Sequence, residues 1–232
     1  MKHAIGIIGG MGPEASIYMY DRLIQLSIQN FGAKKNNDFP EIILHSVPVP
    51  DFISSSKEKA IAFKMLQQRV TSLNKLPLSS LSIACNTAHV LLKDLEKGSP
   101  VKFISMITSV VKALQVDSIK NVGILATPST LNSRLYQEEL QKYGIKSITP
   151  HKEQVYQIEN VIRNVIEGVA DVHDSFLLRK IANDLTKRGA DGIILGCTEL
   201  PLIFPKSYKK VRMYDSVEIL SLALLRRYYE KV

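Results

Sequence analysis

The sequence contains no tryptophan and only two cysteines, Cys85 and Cys197. Two thiols so far apart in the chain cannot form a disulfide framework, and they lack the clustering of a zinc site. No run approaches the roughly 18 uninterrupted apolar residues of a membrane-crossing helix, so no membrane partner is expected. The opening MKHAIGIIGGMGPEAS also lacks the long apolar region and small-residue cleavage site of a signal peptide. It reads as a first strand and its turn, and a cytoplasmic location with both thiols reduced is the expectation. His3, His151 and His173 have no partners at ligand spacing, so no metal is expected.

Acidic charge is also in short supply, and the formal net charge is +8. The basic residues are nonetheless spread along the chain. The densest runs are Lys34-Lys35, then Lys206, Lys209, Lys210 and Arg212, then Arg226-Arg227. None is interleaved with aromatics as in a single-strand binder, and none forms a recognition helix. The excess reads as solvated surface with some attraction for anionic metabolites, and no nucleic-acid partner is expected.

What remains is a globular composition. The 232 residues are 45% hydrophobic and 22% charged, enough for one large domain or two small lobes with a real core. Short β-branched runs alternate with segments of helical period from end to end. Strands are expected at residues 4–8, 42–47, 81–84, 102–106, 121–125, 146–149, 192–195 and 211–214. Helices are expected at about 14–30, 57–73, 87–97, 107–116, 129–143, 153–168, 174–188 and 216–230. Gly144 and Gly189 stand where helices stop, and Ser129 stands where one would be capped. Nearly continuous apolar strands are those of parallel sheets covered on both faces. The fold class is therefore α/β.

The chain is also built twice. Gly6-Ile7-Ile8-Gly9-Gly10 is echoed by Gly123-Ile124-Leu125-Ala126-Thr127, and Ile83-Ala84-Cys85 by Leu195-Gly196-Cys197. Each half opens on a strand with a small-residue turn and later delivers a strand ending in cysteine. Two pseudo-symmetric α/β lobes follow, with a ligand cleft expected at the carboxyl ends of their strands.

A single buried cysteine is usually a small hydrophobe. Here each thiol ends an apolar strand and opens a polar segment, Asn86-Thr87-Ala88-His89 or Thr198-Glu199-Leu200-Pro201. A helix beginning there would favour the thiolate through the positive end of its dipole. A cysteine hydrolase needs one such thiol with a histidine base. Inverting a stereocentre needs two acid–base groups on opposite faces of one carbon. Asn86, Thr87 and Thr198, with nearby backbone N–H groups, could hold a carboxylate whose charge grows on deprotonation. His89 reads either as a structural imidazole or as a group tuning Cys85, and Glu199 as a helix-terminal charge or a catalytic base. Asp215 reads as the cap of the final helix. The turn Gly10-Met11-Gly12-Pro13-Glu14-Ala15 has the form of a dinucleotide fingerprint, but the acid expected on the next strand is missing.

Three segments, Gly9-Gly10-Met11-Gly12-Pro13, Ala84-Cys85-Asn86-Thr87-Ala88-His89 and Gly196-Cys197-Thr198-Glu199-Leu200-Pro201, resemble the signatures of the aspartate/glutamate racemase family. The resemblance runs through Ala126-Thr127-Pro128-Ser129-Thr130 to Tyr214-Asp215-Ser216. It implies an amino-acid racemase needing neither pyridoxal phosphate nor any other cofactor nor metal, commonly dimeric, with a small-molecule amino-acid substrate. Cys85 and Cys197 would be the acid–base pair. Met11, Gly12, Phe52, Asn86, Thr87, Thr127, Ser129, Thr198 and Glu199 would line the substrate site. It also implies an N-terminal lobe over residues 1–104 joined by a returning segment 216–232, and a C-terminal lobe over 105–215. The sequence departs from aspartate-specific relatives at three positions. Phe52 follows Pro50-Asp51 where they often carry arginine, Ala170 stands where they tend to carry lysine, and Leu220 where many have histidine. Losing two cations that would bind a side-chain carboxylate leaves the amino acid open. Related frames also serve decarboxylases and isomerases of small carboxylates, and a non-catalytic binding protein is a further alternative.

Overall fold

In the computed structural model, which describes residues 3–50 and 56–230, the chain divides into two compact units. One comprises Met1–Met106 with Val217–Val232, the other Ile107–Ser216.

The first unit begins with β1 (Ala4–Gly9), α1 (Pro13–Phe31), β2 (Ile42–Ser46), α2 (Ser56–Leu73) and β3 (Leu78–Ile83). A 3-10 turn at Thr87–Leu91 and α3 (Leu92–Glu96) follow. The three strands form a parallel sheet in the order β2-β1-β3. All six residues of β1 are buried, and the alternation along the strand sends them to two different cores. Ala4 and Ile8 join Leu66, Val70 and Leu73 of α2 and Leu81 of β3. Ile5 and Ile7 join Met19 and Leu23 of α1, together with Val217, Leu220 and Leu224 of the last helix. Leu220 is fully buried there as a core residue.

The second unit contains α4 (Met106–Val116, whose first residue belongs to the first unit), β4 (Asn121–Leu125), α5 (Pro128–Asn132), α6 (Leu135–Gln141), β5 (Lys146–Ile148) and α7 (Lys152–Ile166). It continues with α8 (Val172–Lys187), β6 (Gly192–Leu195), α9 (Leu200–Ile203) and β7 (Arg212–Asp215), after which α10 (Ser216–Tyr229) returns to the first unit. Its sheet is parallel in the order β5-β4-β6-β7. Strand β4 thus occupies the place of β1, β5 that of β2 and β6 that of β3, with β7 added. Leu125, Ile193 and Leu195 pack on Ile158 and Ile162 of α7 and on Leu178, Ile181 and Leu185 of α8.

The α/β class and the doubled parallel sheets are as expected from the sequence, and three local differences have physical causes. The segment expected as a strand at 102–106 makes one parallel bridge, Phe103 to Leu81, before α4 begins at Met106. The helix expected at 129–143 is broken by Arg134, whose φ of 57° is left-handed. Its first part is rich in Ser, Thr and Asn, whose side chains compete for backbone partners; Ser133 Oγ donates to the Thr130 carbonyl at 2.9 Å. The helix expected at 87–97 is a 3-10 turn followed by five α-helical residues. Gly144 and Gly189 take left-handed conformations just past α6 and α8, as expected of helix stops.

Candidate active site

The two thiols occupy the same position in the two sheets. In the first unit Ala84 N–H donates to the Ile8 carbonyl at 2.8 Å, extending the β1–β3 pairing one residue beyond the strand. In the second, Gly196 N–H donates to the Leu125 carbonyl at 2.7 Å. The next residue is Cys85 in one case and Cys197 in the other. Each thiol therefore sits at the carboxyl end of its strand, beside the turn that ends the neighbouring strand. The sequence echo from Gly6 to Gly123 follows the same register.

In the first unit that turn is Gly9–Gly12. Gly10 has φ of 89°, and a Cβ there would collide with the backbone nitrogen of Val47, so only glycine fits. Ser16, one turn into α1, closes the loop: Gly10 N–H donates to Ser16 Oγ at 2.9 Å, and Ser16 Oγ donates to the Gly12 carbonyl at 3.2 Å. Met11 and Gly12 are half-buried beside this turn. Cys85 is half-buried, while Asn86 and Thr87 are buried. Phe52 lies outside the described residues.

His89 fixes the Cys85 segment. Its Nε2 accepts the Met106 N–H at 2.9 Å, so its Nδ1 carries the proton and donates to the Cys85 carbonyl at 2.8 Å. Burial lowers its pKa to about 4, only partly opposed by the bond to the Cys85 carbonyl. A neutral ring with both nitrogens committed to backbone is a structural imidazole. It positions Cys85 and takes no proton from it.

In the second unit the equivalent turn carries Thr127 and Ser129, both half-buried. Thr127, rather than the expected Ser129, caps α5, its Oγ1 accepting the Thr130 N–H at 3.2 Å with Pro128 at the first helical position. Cys197, Thr198 and Glu199 are all buried. The Cys197 thiol donates to Glu199 Oε2 at 2.9 Å, and the Thr198 hydroxyl donates to the same oxygen at 3.0 Å. Glu199 is thus engaged by the thiol itself, more than a helix-terminal charge.

Cys85 is followed by one 3-10 turn and a five-residue helix, and Cys197 by the four-residue α9. Elements this short have little cooperative dipole to offer a thiolate. At Cys197 the thiol instead donates a hydrogen bond to the Glu199 carboxylate.

Sequence reasoning missed Tyr136. It is fully buried on α6, its ring packs where Gly196 lacks a side chain, and its hydroxyl bonds to Ser216. Burial pushes the phenol up, the Ser216 bond opposes this, and the nearby Cys197 and Asp215 add to the rise. No spacing in the sequence ties Tyr136 to Cys197, because the approach depends on an absent side chain at Gly196. Asp215, expected as the cap of the final helix, is the last residue of β7, paired in register with Leu195, and stands immediately before α10. Ala170 lies in the turn between α7 and α8, its N–H donating to the Asn164 carbonyl at 3.1 Å. Among the described residues no group of three or more His, Cys, Asp or Glu could hold a metal ion, and no helix is long and apolar enough to cross a membrane.

Residues 8–223 match the family model described as Asp/Glu/Hydantoin racemase. The chain belongs to that family. The broad specificity amino-acid racemase RacX of Bacillus subtilis is 25% identical over 224 residues, covering 97% of each chain. Among solved structures, an aspartate racemase homologue from Pyrococcus horikoshii superposes with a TM-score of 0.82 at 26% identity, over 97% of this chain and 98% of its own. The aspartate racemase of Picrophilus torridus gives 0.81 at 25% identity, over 96% and 93%. The fold of this racemase family and its isomerase class are therefore those expected from the three signature segments.

Proposed function

We propose that this member of the family inverts the α-carbon of an amino acid with Cys85 and Cys197 as a two-base pair, without pyridoxal phosphate or metal. One sulfur, as thiolate, removes the α-proton from one face. The other, as thiol, returns a proton to the opposite face. The reaction leaves the enantiomer and an enzyme in which thiol and thiolate have exchanged places, so protons and charge balance. The observation that carries this reading is the matched register of the two thiols, each one residue past the same strand-to-strand hydrogen bond.

The flanking groups take subordinate roles. Asn86, Thr87, Thr127, Ser129 and Thr198, with the Met11-Gly12 turn, supply donors and shape for the substrate carboxylate and ammonium. Glu199 accepts a hydrogen bond from the Cys197 thiol, and His89 orients Cys85. The substrate is an amino acid other than aspartate, because Phe52 and Ala170 replace two cations that would hold a second carboxylate. The name of the Bacillus subtilis relative, a broad specificity racemase, is consistent with that choice. The reading includes a cytosolic homodimer, which sedimentation velocity would show at twice the monomer mass.

The test is a screen of the common L- and D-amino acids for α-proton exchange in deuterated water. Exchange and racemisation of neutral or larger amino acids, with aspartate slow, is the expected result. No exchange from any amino acid would sink the reading.

A further inference from the structure

The basic run after α9 has no part in the proposed chemistry. Phe176, Arg179 and Lys180, and Asn183 lie one turn apart along α8, a spacing that puts them on one face. With Lys209 and Lys210 from the segment before β7 they line a pocket of about 410 Å³, within the size range of small-molecule sites. The segment is held in place. Tyr208 is buried, its hydroxyl shares a hydrogen bond with Thr186 Oγ1 of α8 at 3.2 Å, and its ring meets Phe204 edge-on at 5.6 Å.

Two features of the pocket wall point to one ligand chemistry. First, its four cations make no ion pair among the described residues, whereas Arg188 just past α8 and Arg212 at the start of β7 pair with Asp184 and Asp117. Four uncompensated cations around one concavity favour a multiply charged anion. Second, Phe176 is 58% exposed, with the Arg179 guanidinium 5.0 Å from its ring centroid. An exposed ring backed by a guanidinium is a platform for a flat heterocycle.

We propose that this pocket binds a nucleoside phosphate. Its phosphates meet Arg179, Lys180, Lys209 and Lys210, and its base stacks on Phe176. The site is separate from the two thiols, but Tyr208 and Phe204 share a core cluster with Cys197.

Isothermal titration of the full-length protein with AMP, ADP and inorganic phosphate tests this. Saturable one-site binding of a nucleotide, at least tenfold tighter than phosphate, is expected. Lys209→Ala with Lys210→Ala should weaken it at least tenfold, and Phe176→Ala should weaken nucleotide but not phosphate. Lys34→Ala with Lys35→Ala, the same charge change elsewhere, should leave it unaltered. Phosphate binding as tightly as nucleotide would overturn the nucleoside part. Equal losses in the two lysine pairs, or no saturable binding, would overturn the site.

Discussion

The two cysteine segments share a backbone position and differ in proton chemistry. Cys85 is half-buried, and its carbonyl accepts from a neutral imidazole held at the other end by the Met106 N–H. Cys197 is buried, and its thiol proton points to a carboxylate two residues on. At the corresponding place in the first unit stands Thr87. Duplication can copy a strand, a turn and a nucleophile while leaving each copy free to solve its own electrostatics. A reaction that uses the two thiols in opposite protonation states has a use for that difference.

The largest effect should come from the thiols. Cys85→Ala or Cys197→Ala removes an acid–base group and should reduce kcat/KM at least about 100- to 10,000-fold. A small loss in one and a large loss in the other would show that only one thiol reacts. Next comes the contrast between Glu199 and Thr87. Glu199→Gln removes a charge-assisted acceptor worth about 1.5–3 kcal/mol, so kcat/KM should fall about 10- to 100-fold. Thr87→Val removes a neutral group and should cost roughly tenfold or less. Both enantiomers must lose equally, because their equilibrium constant is one. Equal losses in the two variants would erase the proposed asymmetry.

A third prediction concerns stability. The folded pKa of His89, about 4, lies below its unfolded value of 6.5. Between these values the unfolded chain binds more protons, so stability contributed by neutral His89 is full above pH 6.5 and is lost as pH falls towards 4. The loss is on the order of 3 kcal/mol. Urea unfolding of wild type and His89→Gln at several pH values should show a steeper decline in wild type. Parallel pH curves would place the imidazole in contact with water. The smallest effect is Tyr136→Phe, which removes the hydroxyl bonded to Ser216. It should cost about 1 kcal/mol and lower the melting temperature by about 2–4 °C. A drop in kcat beyond tenfold at unchanged stability would instead give Tyr136 a direct part in the reaction.

Much of this was legible in the sequence because it rests on local pattern. The apolar runs around Ile5, Ile124 and Ile194 identify strands buried on both faces, and the Gly6 and Gly123 echo carries the register that aligns Cys85 with Cys197. Less legible was anything set by tertiary contact. The segment around Phe103 has strand composition, but α4 begins too soon to allow a ladder. The break at Arg134 depends on side chains competing for backbone partners. Asp, Glu and His near a cysteine can serve many ends, and only the placed atoms show that His89 faces backbone while Glu199 faces sulfur. Tyr136 was invisible because it reaches its place through the empty side of Gly196.

The central claim is that each thiol serves one face of the α-carbon. It is tested most directly by following α-hydrogen exchange in deuterated water from the separate L and D enantiomers with Cys85→Ser and Cys197→Ser. Each variant should exchange one enantiomer only, the two variants should choose opposite enantiomers, and neither should interconvert them. Interconversion at the wild-type rate in either variant, or exchange of the same enantiomer by both, would contradict it.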